Sequence, residues 1–364
     1  MDQIQNYKCP ACGAPLVFDG AAGGLHCSSC GNSYSTETMQ QIDEAINGAQ
    51  KESTYDWGSY KPRTFDMAES AGLASYSCPS CGAEITGDDT MGSTVCPYCG
   101  NSTIVKGIFE GAYMPDFVIP FEIDKNKAVS LFEEDAKNKP FLPDEFKNRK
   151  RIEEMAGVYV PFWMFDCDCA AMISYNAQLV FHWEDSKYEY TKTDYYRLLR
   201  GGYVGYQNIP VDASLKADDA YMDALEPFDY TKAVNFNTAY LSGHLADKYD
   251  VSVEESIQRV NRRVENSTNE IFMDTTKQYA FVRPEFTNIQ TSQGVIRYSL
   301  LPVWMLNIKF NGENYKYAVN GQTGKVVGNY PIDKKKQKRH FRNTVLKFTL
   351  PISAVIFAAM HFFL

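Results

Sequence analysis

Ten cysteines are the residues best equipped for chemistry in this chain, and eight of them share one spacing. Cys9-Pro-Ala-Cys12-Gly is followed, after fourteen intervening residues, by Cys27-Ser-Ser-Cys30-Gly. Cys78-Pro-Ser-Cys81-Gly is followed, after the same interval, by Cys96-Pro-Tyr-Cys99-Gly. A CxxC turn aims two thiolates at one point, and two such turns joined by a hairpin complete a tetrahedral four-sulfur zinc site. The glycine after Cys12, Cys30, Cys81 and Cys99 permits the left-handed backbone that closes each turn. Two Zn2+ ions are therefore expected. Cys9, Cys12, Cys27 and Cys30 would hold one, and Cys78, Cys81, Cys96 and Cys99 the other. Each set is closed, with no open position for a substrate, so both metals read as structural. A disulfide framework is the competing reading. The paired spacing and an N-terminus without a charged-then-apolar leader weigh against it.

The two cysteine units are copies of each other at an offset of 69 residues. Tyr7 matches Tyr76, Ala14 matches Ala83, Asp19 matches Asp88, and Asn32-Ser33 matches Asn101-Ser102. Neither unit is large enough to bury a core, so the metal must supply most of its folding free energy. Ribbons of this kind often grip nucleic acid through Lys and Arg. Here the first, over 7–34, offers only Lys8, and the second, over 76–103, offers none while carrying Glu84, Asp88 and Asp89. Without phosphate-neutralising charge a nucleic-acid partner is disfavoured, and protein surfaces are the expected partners. The last two cysteines, Cys167 and Cys169, share one face of a strand. With no His or second CxxC nearby they read as small core residues, a third metal or redox site being the alternative.

The elements that must carry these sites come next. The chain has 364 residues, 44% hydrophobic and 14% aromatic, which excludes a disordered or fibrous protein. Its net charge of −9 is uneven: seven basic residues and no acid follow Asp333. The expected organisation is a first ribbon at 1–35, a linker at 36–75, a second ribbon at 76–106, an α+β body at 107–333, a basic segment at 334–347 and an apolar segment at 348–364. The uncharged run from Phe348 to Leu364 would span about 25 Å as a helix. Starting at Val345, with Lys347 snorkelling, it reaches about 30 Å and matches a bilayer core. The expectation is one C-terminal transmembrane helix, a single-pass cell-membrane placement with the bulk cytoplasmic, and Lys334–Arg342 on anionic lipid headgroups.

Within the linker and body, helices are expected at 36–49, 124–138, 144–156, 237–248 and 252–273, the last with Ile257, Val260, Val264 and Ile271 on its buried face. Strands are expected at 158–181, 187–206 and from 278 to 330, with a hairpin loop at Asn320–Gly324. Val160-Pro-Phe-Trp-Met-Phe-Asp166 repeats as Leu301-Pro-Val-Trp-Met-Leu-Asn307 at an offset of 141, so the body should hold two related β-rich halves with Trp163 and Trp304 as core anchors. The fold class is thus α+β: two N-terminal four-cysteine ribbons, a β-rich body with an internal repeat, and one terminal span. No catalytic motif is present. Gly321–Lys325 lacks the Ser/Thr and the spacing of a phosphate loop, and His182 and His244 stand in no constellation. The chain is expected not to be an enzyme.

Several strings resemble a family of membrane-anchored double zinc-ribbon proteins of Gram-positive bacteria, often labelled TFIIB-type zinc-ribbon-containing proteins. They are VYVPFWMFDCDC at 158–169, EPFDY at 226–230, LSGHLADKYD at 241–250, LLPVWMLN at 300–307 and VNGQTGKVVG at 319–328. The resemblance implies partners in envelope-stress assemblies, of the SPFH-domain or phage-shock-protein-A type. Some members carry a primosomal helicase label, but the P-loop a helicase needs is absent from this sequence. The expected function is a zinc-ribbon scaffold at the membrane that recruits protein partners. The alternative is a zinc-ribbon nucleic-acid-binding protein of replication or transcription.

Overall fold

The computed structural model describes residues 7–10, 13–20, 23–49, 52–66, 69–88, 95–101, 105–108 and 113–363. The chain forms two compact units, each assembled from separated stretches. One comprises 1–60, 164–211 and 253–296, the other 61–163, 212–252 and 297–364.

The first ribbon is a small antiparallel sheet of β1 (Val17–Asp19), β2 (Gly24–His26) and β3 (Ser33–Tyr34), with Phe18 opposite Leu25 and Leu25 opposite Tyr34. It leads into α1 (Thr36–Ala49), where the Ser35 hydroxyl accepts from the Thr38 amide. Next come β4 (Arg63–Thr64), the second-ribbon strands β5 (Leu73–Ser77), β6 (Glu84–Asp88) and β7 (Val105–Ile108), and then β8 (Tyr113–Met114) and β9 (Phe117–Val118). α2 (Lys125–Lys137) starts where the Asp124 carboxylate accepts from the Lys127 amide at 2.8 Å. Its buried Ala128, Val129, Phe132 and Ala136 keep helical spacing.

The helix expected at 144–156 is shorter and split. Asn148 adopts an extended backbone and caps α3 (Arg149–Ile152), leaving a single 3-10 turn before it. Two long strands follow, β10 (Ala156–Glu184) and β11 (Glu189–Asp212), then α4 (Asp219–Leu225) and β12 (Val234–Asn235). The helix expected at 237–248 does not form. A 3-10 turn ends at Leu241, Gly243 takes φ +77°, and residues 245–247 become strand β13 (Leu245–Asp247) because β10 offers them a parallel neighbour. α5 (Val253–Met273) precedes β14 (Phe281–Phe310), β15 (Glu313–Asn320), β16 (Val326–Gly328) and α6 (Lys334–Phe363).

The internal repeat emerges as a crossed pairing within the second unit. β10 runs parallel to β13, with Val158 opposite Leu245, while β14 runs parallel to β9, with Ser299 opposite Phe117. Ala213 O accepts from the Asp250 and Val251 amides at 3.0 and 3.2 Å. Its counterpart Gly321 O accepts from Glu122 and Ile123 at 3.0 and 2.9 Å. Each half therefore builds its long strand onto the other half's lead-in to a helix. The second unit's core gathers Phe132, Phe146, Trp304 and Tyr317, with the Phe132 and Tyr317 rings 5.0 Å apart. Burying each such ring contributes about 1.5–3 kcal/mol.

In the first unit α5 buries Ser256, Val260, Val264, Thr268 and Phe272, a strict four-residue row. This differs from the expected face: Ile271 is half-exposed, because the row follows Thr268, whose hydroxyl meets Tyr206 Oη at 2.8 Å and Cys169 Sγ at 3.8 Å. Trp57 anchors the linker to this unit. Its indole donates to Asn261 Oδ1 at 2.7 Å and its ring meets Phe165 edge-on. Gly294 makes room for it, since a Cβ there would lie 2.3 Å from Trp57 Cα.

Two expectations are overturned. Among the described residues no helix is long and apolar enough to cross a membrane. The transmembrane helix expected at 348–364 is thereby withdrawn, and with it the tail-anchored, single-pass cell-membrane placement. The uncharged run is only the tail of α6, a helix of 30 residues that opens on Lys334-Lys335-Lys336 and carries Pro351 inside. At about 25 Å that run falls short of a roughly 30 Å bilayer core. Lengthening it draws in Lys347. What stands is a β-rich α+β fold carrying two cysteine clusters.

Candidate metal centres

The second cluster forms from two knuckles that sequence spacing alone dictates. In the first knuckle the Cys78 amide donates to Ala83 O at 2.9 Å and the Gly82 amide returns to Cys78 O at 2.8 Å. In the second, Cys96 donates to Asn101 O at 2.8 Å and Gly100 to Cys96 O at 2.9 Å. Gly82 and Gly100 sit at φ +71° and +69°, where a side chain would be strained. The turns bring Cys78 Sγ to 3.6 Å from Cys99 Sγ and Cys81 Sγ to 3.7 Å from Cys96 Sγ, with all four sulfurs within 4.8 Å of one another.

These distances discriminate. A disulfide needs sulfurs about 2.05 Å apart. A tetrahedral ion with bonds of about 2.3 Å sets them about 3.8 Å apart. The observed spacing fits the ion. The thiols are also unequal. Burial pushes Cys96 well up and raises Cys81. At Cys78 burial is outweighed by the backbone N–H groups of Cys81 and Ser80 and by the Cys99 and Cys81 side chains, which bring it to about 7. A cation is what would let all four ionise together.

The first cluster repeats the design. Cys9, Cys27 and Cys30 converge within the same limit, with Cys9 Sγ 3.6 Å from Cys30 Sγ. Its knuckles close through Cys9 N to Ala14 O at 2.7 Å and Cys27 N to Asn32 O at 2.8 Å. Cys12, the expected fourth ligand, lies outside the described residues. His26 is not drawn in; its Nδ1 pairs with Ser33 Oγ at 3.0 Å.

The copies differ in their surroundings. In the second ribbon β6 pairs with β13, Thr86 opposite Ala246 and Ile85 opposite Asp247. Tyr98, between two ligand cysteines, donates to Asp247 Oδ2 at 2.6 Å, and Ser214 Oγ donates to the same oxygen at 2.5 Å. The Asn307 side-chain amide donates to Pro97 O. Burial pushes the Asp247 carboxyl up to about 7, although Ser214 and Tyr98 pull the other way. In the first ribbon Val17 and Phe18 are 64% and 57% exposed, whereas their counterparts at the offset of 69, Thr86 and Gly87, are both buried, Thr86 at 8%. Tyr98, Asp247, Ser214 and Asn307 escaped the sequence reading. One clue was present: Tyr98 is an aromatic inside a CxxC turn, and a buried tyrosine needs an acceptor.

Other candidate groups lie apart from the clusters. Cys167 and Cys169 are buried, and burial pushes the Cys167 thiol up to about 12. His182 pairs with Thr191 at 3.0 Å on an exposed strand, while His244 stacks on Phe121 at 4.1 Å, where burial lowers its pKa. Gly321–Lys325 closes the β15–β16 hairpin, with Lys325 Nζ donating to Glu226 O at 2.6 Å. Asp218 caps α4.

Among known proteins, the chain is 33% identical over 333 residues to a Bacillus subtilis (strain 168) protein called "Uncharacterized protein YdjG", with 92% of each chain covered. No protein-family model matches it. No solved structure matches it either.

Proposed function

This chain belongs to the family of the Bacillus subtilis protein YdjG, and we propose that it is a zinc-ribbon adaptor for protein partners. In this reading both cysteine clusters hold structural Zn2+, and the two ribbons have divided their tasks. The second is built into the α+β body through β6, Tyr98 and Asn307. The first keeps the same knuckles but leaves Val17 and Phe18 in solvent. That contrast carries the proposal: one duplicated surface is buried in one copy and open in the other. Apolar side chains in solvent on a small metal-stapled sheet are suited to docking a protein.

The ribbons are also poor in the cations that a nucleic-acid partner demands, since Lys8 and Lys106 are the two Lys or Arg residues across 1–35 and 76–106. The test is affinity capture with the full chain beside Val17→Ser/Phe18→Ser and Tyr203→Ser variants. A protein retained by the wild type and the Tyr203 variant, lost with the ribbon variant and insensitive to nuclease supports the adaptor. Capture that ignores Val17 and Phe18, or that nuclease abolishes, sinks it.

A further inference from the structure

The strand β11 is 24 residues long, and among the described residues it pairs with β10 alone. Its place in the repeat makes this notable. The corresponding strand of the other half, β15, pairs with β14 along its length and is covered by β16 on its other side over Tyr317–Val319, with Ala318 opposite Val327. Among the described residues β11 has no such cover. A long open edge presents a row of backbone donors and acceptors, which proteins normally shorten, charge or cover.

The side chains of β11 show what would cover it. Its first half carries large residues, Tyr195, Tyr196 and Arg197. Its second half carries small ones, Gly201, Gly202 and Gly205. Tyr195 is 66% exposed and Tyr203 90%. The cationic groups of β11 are already engaged within their own unit: Lys192 with Asp194 at 3.0 Å, Arg197 with Glu285 at 3.0 Å and Arg200 with Thr275 at 2.9 Å. They leave no excess charge to recruit an oppositely charged strand.

From this asymmetry the geometry points to a second copy of this chain as the occupant, added antiparallel along β11 about a twofold axis at Leu199. Reversing the strand on itself sets large against small. Tyr196 faces Gly202 of the other copy, Arg197 faces Gly201 and Thr193 faces Gly205. Tyr195 faces Tyr203, twice by symmetry. Aromatic cross-strand pairs and aromatic cover of edge glycines are the stabilising devices of sheet edges. No like charges oppose each other in this register, whereas centring at Arg197 or Arg200 sets that arginine against itself. The interface is isologous, as twofold association requires. It is independent of the first ribbon, so it stands or falls apart from the adaptor reading.

The experiment is sedimentation velocity on the full zinc-loaded chain across a concentration series, with a photo-crosslinking amino acid at Tyr203. A dimer is expected, with cross-links mapping near Tyr195 of the second copy. Tyr195→Glu/Tyr203→Glu should weaken it by at least about tenfold. Both side chains are largely in solvent, so the variant should keep the wild-type circular dichroism and zinc content. A monomer at all concentrations, a dimer indifferent to the double variant, or cross-links that map elsewhere overturns the proposal.

Discussion

The indole Nε1 of Trp163 donates to the carbonyl of Val251 at 2.9 Å, just ahead of α5. Trp304 does the same to Ile123 at 2.8 Å, just ahead of α2. The two tryptophans match in the internal repeat, and each holds the start of the helix that belongs to the other half. The halves are thus locked by exchange rather than by simple stacking.

Replacing either Trp163 or Trp304 by Phe should therefore cost a similar amount. Each change leaves a part-buried carbonyl without its indole donor, worth about 1 kcal/mol, and trims buried ring area besides. Urea unfolding of the single variants will show it. A loss below about 0.5 kcal/mol at one site only would refute equivalence of the two locks.

Metal content separates the ribbons. Two zinc ions per chain are expected by elemental analysis. Cys78→Ser and Cys27→Ser should each remove one. The consequences should differ, because β6 is part of the body sheet while β1 pairs within its own ribbon. Loss of the second site should lower the main unfolding transition by several degrees and speed hydrogen exchange in β13, as expected for a deficit of a few kcal/mol. Loss of the first should leave both unchanged. Equal effects would deny the division of roles.

The Tyr98–Asp247–Ser214 cluster predicts a pH dependence. Asp247 has a folded pKa of about 7 against an ordinary carboxyl value near 3.9 in the unfolded chain. The folded state then binds the extra proton, so its stabilisation is complete below about pH 4 and fades as pH rises through about 7. Relative to Asp247→Asn, the wild type should lose melting temperature between pH 5.5 and about 7.5. A difference that is flat, or grows with pH, would show that Asp247 is ionised when folded.

Nucleic-acid binding should be absent. Single- and double-stranded probes should not shift with the full chain at physiological salt, since phosphate contacts need clustered cations and the ribbons carry only Lys8 and Lys106. A salt-sensitive shift lost with Cys9→Ser or Cys78→Ser would reverse that view.

Much of the architecture was readable locally. α1, α2 and α5 lie where their periodicity and caps put them, because a helix depends on neighbours three and four residues away. The segment at 245–247 was not readable. It has helical composition, yet it is a strand, because β10 and β6 supply hydrogen bonds on both sides. The terminal apolar run misled for another reason: local hydropathy does not report that the run is the end of a helix which starts among lysines.

For the candidate metal centres, spacing alone determined which cysteines converge. A CxxC turn closes through its own backbone, and described Cys9, Cys27 and Cys30, with Cys78, Cys81, Cys96 and Cys99, converge as that spacing requires. Only the tertiary structure decided that the two ribbons are unequal. Tyr98 and Asp247 are 149 positions apart, and Asn307 lies 210 positions from Pro97. Contacts at such separation depend on which strands pair, a choice set by the burial of the whole body rather than by any short stretch of residues.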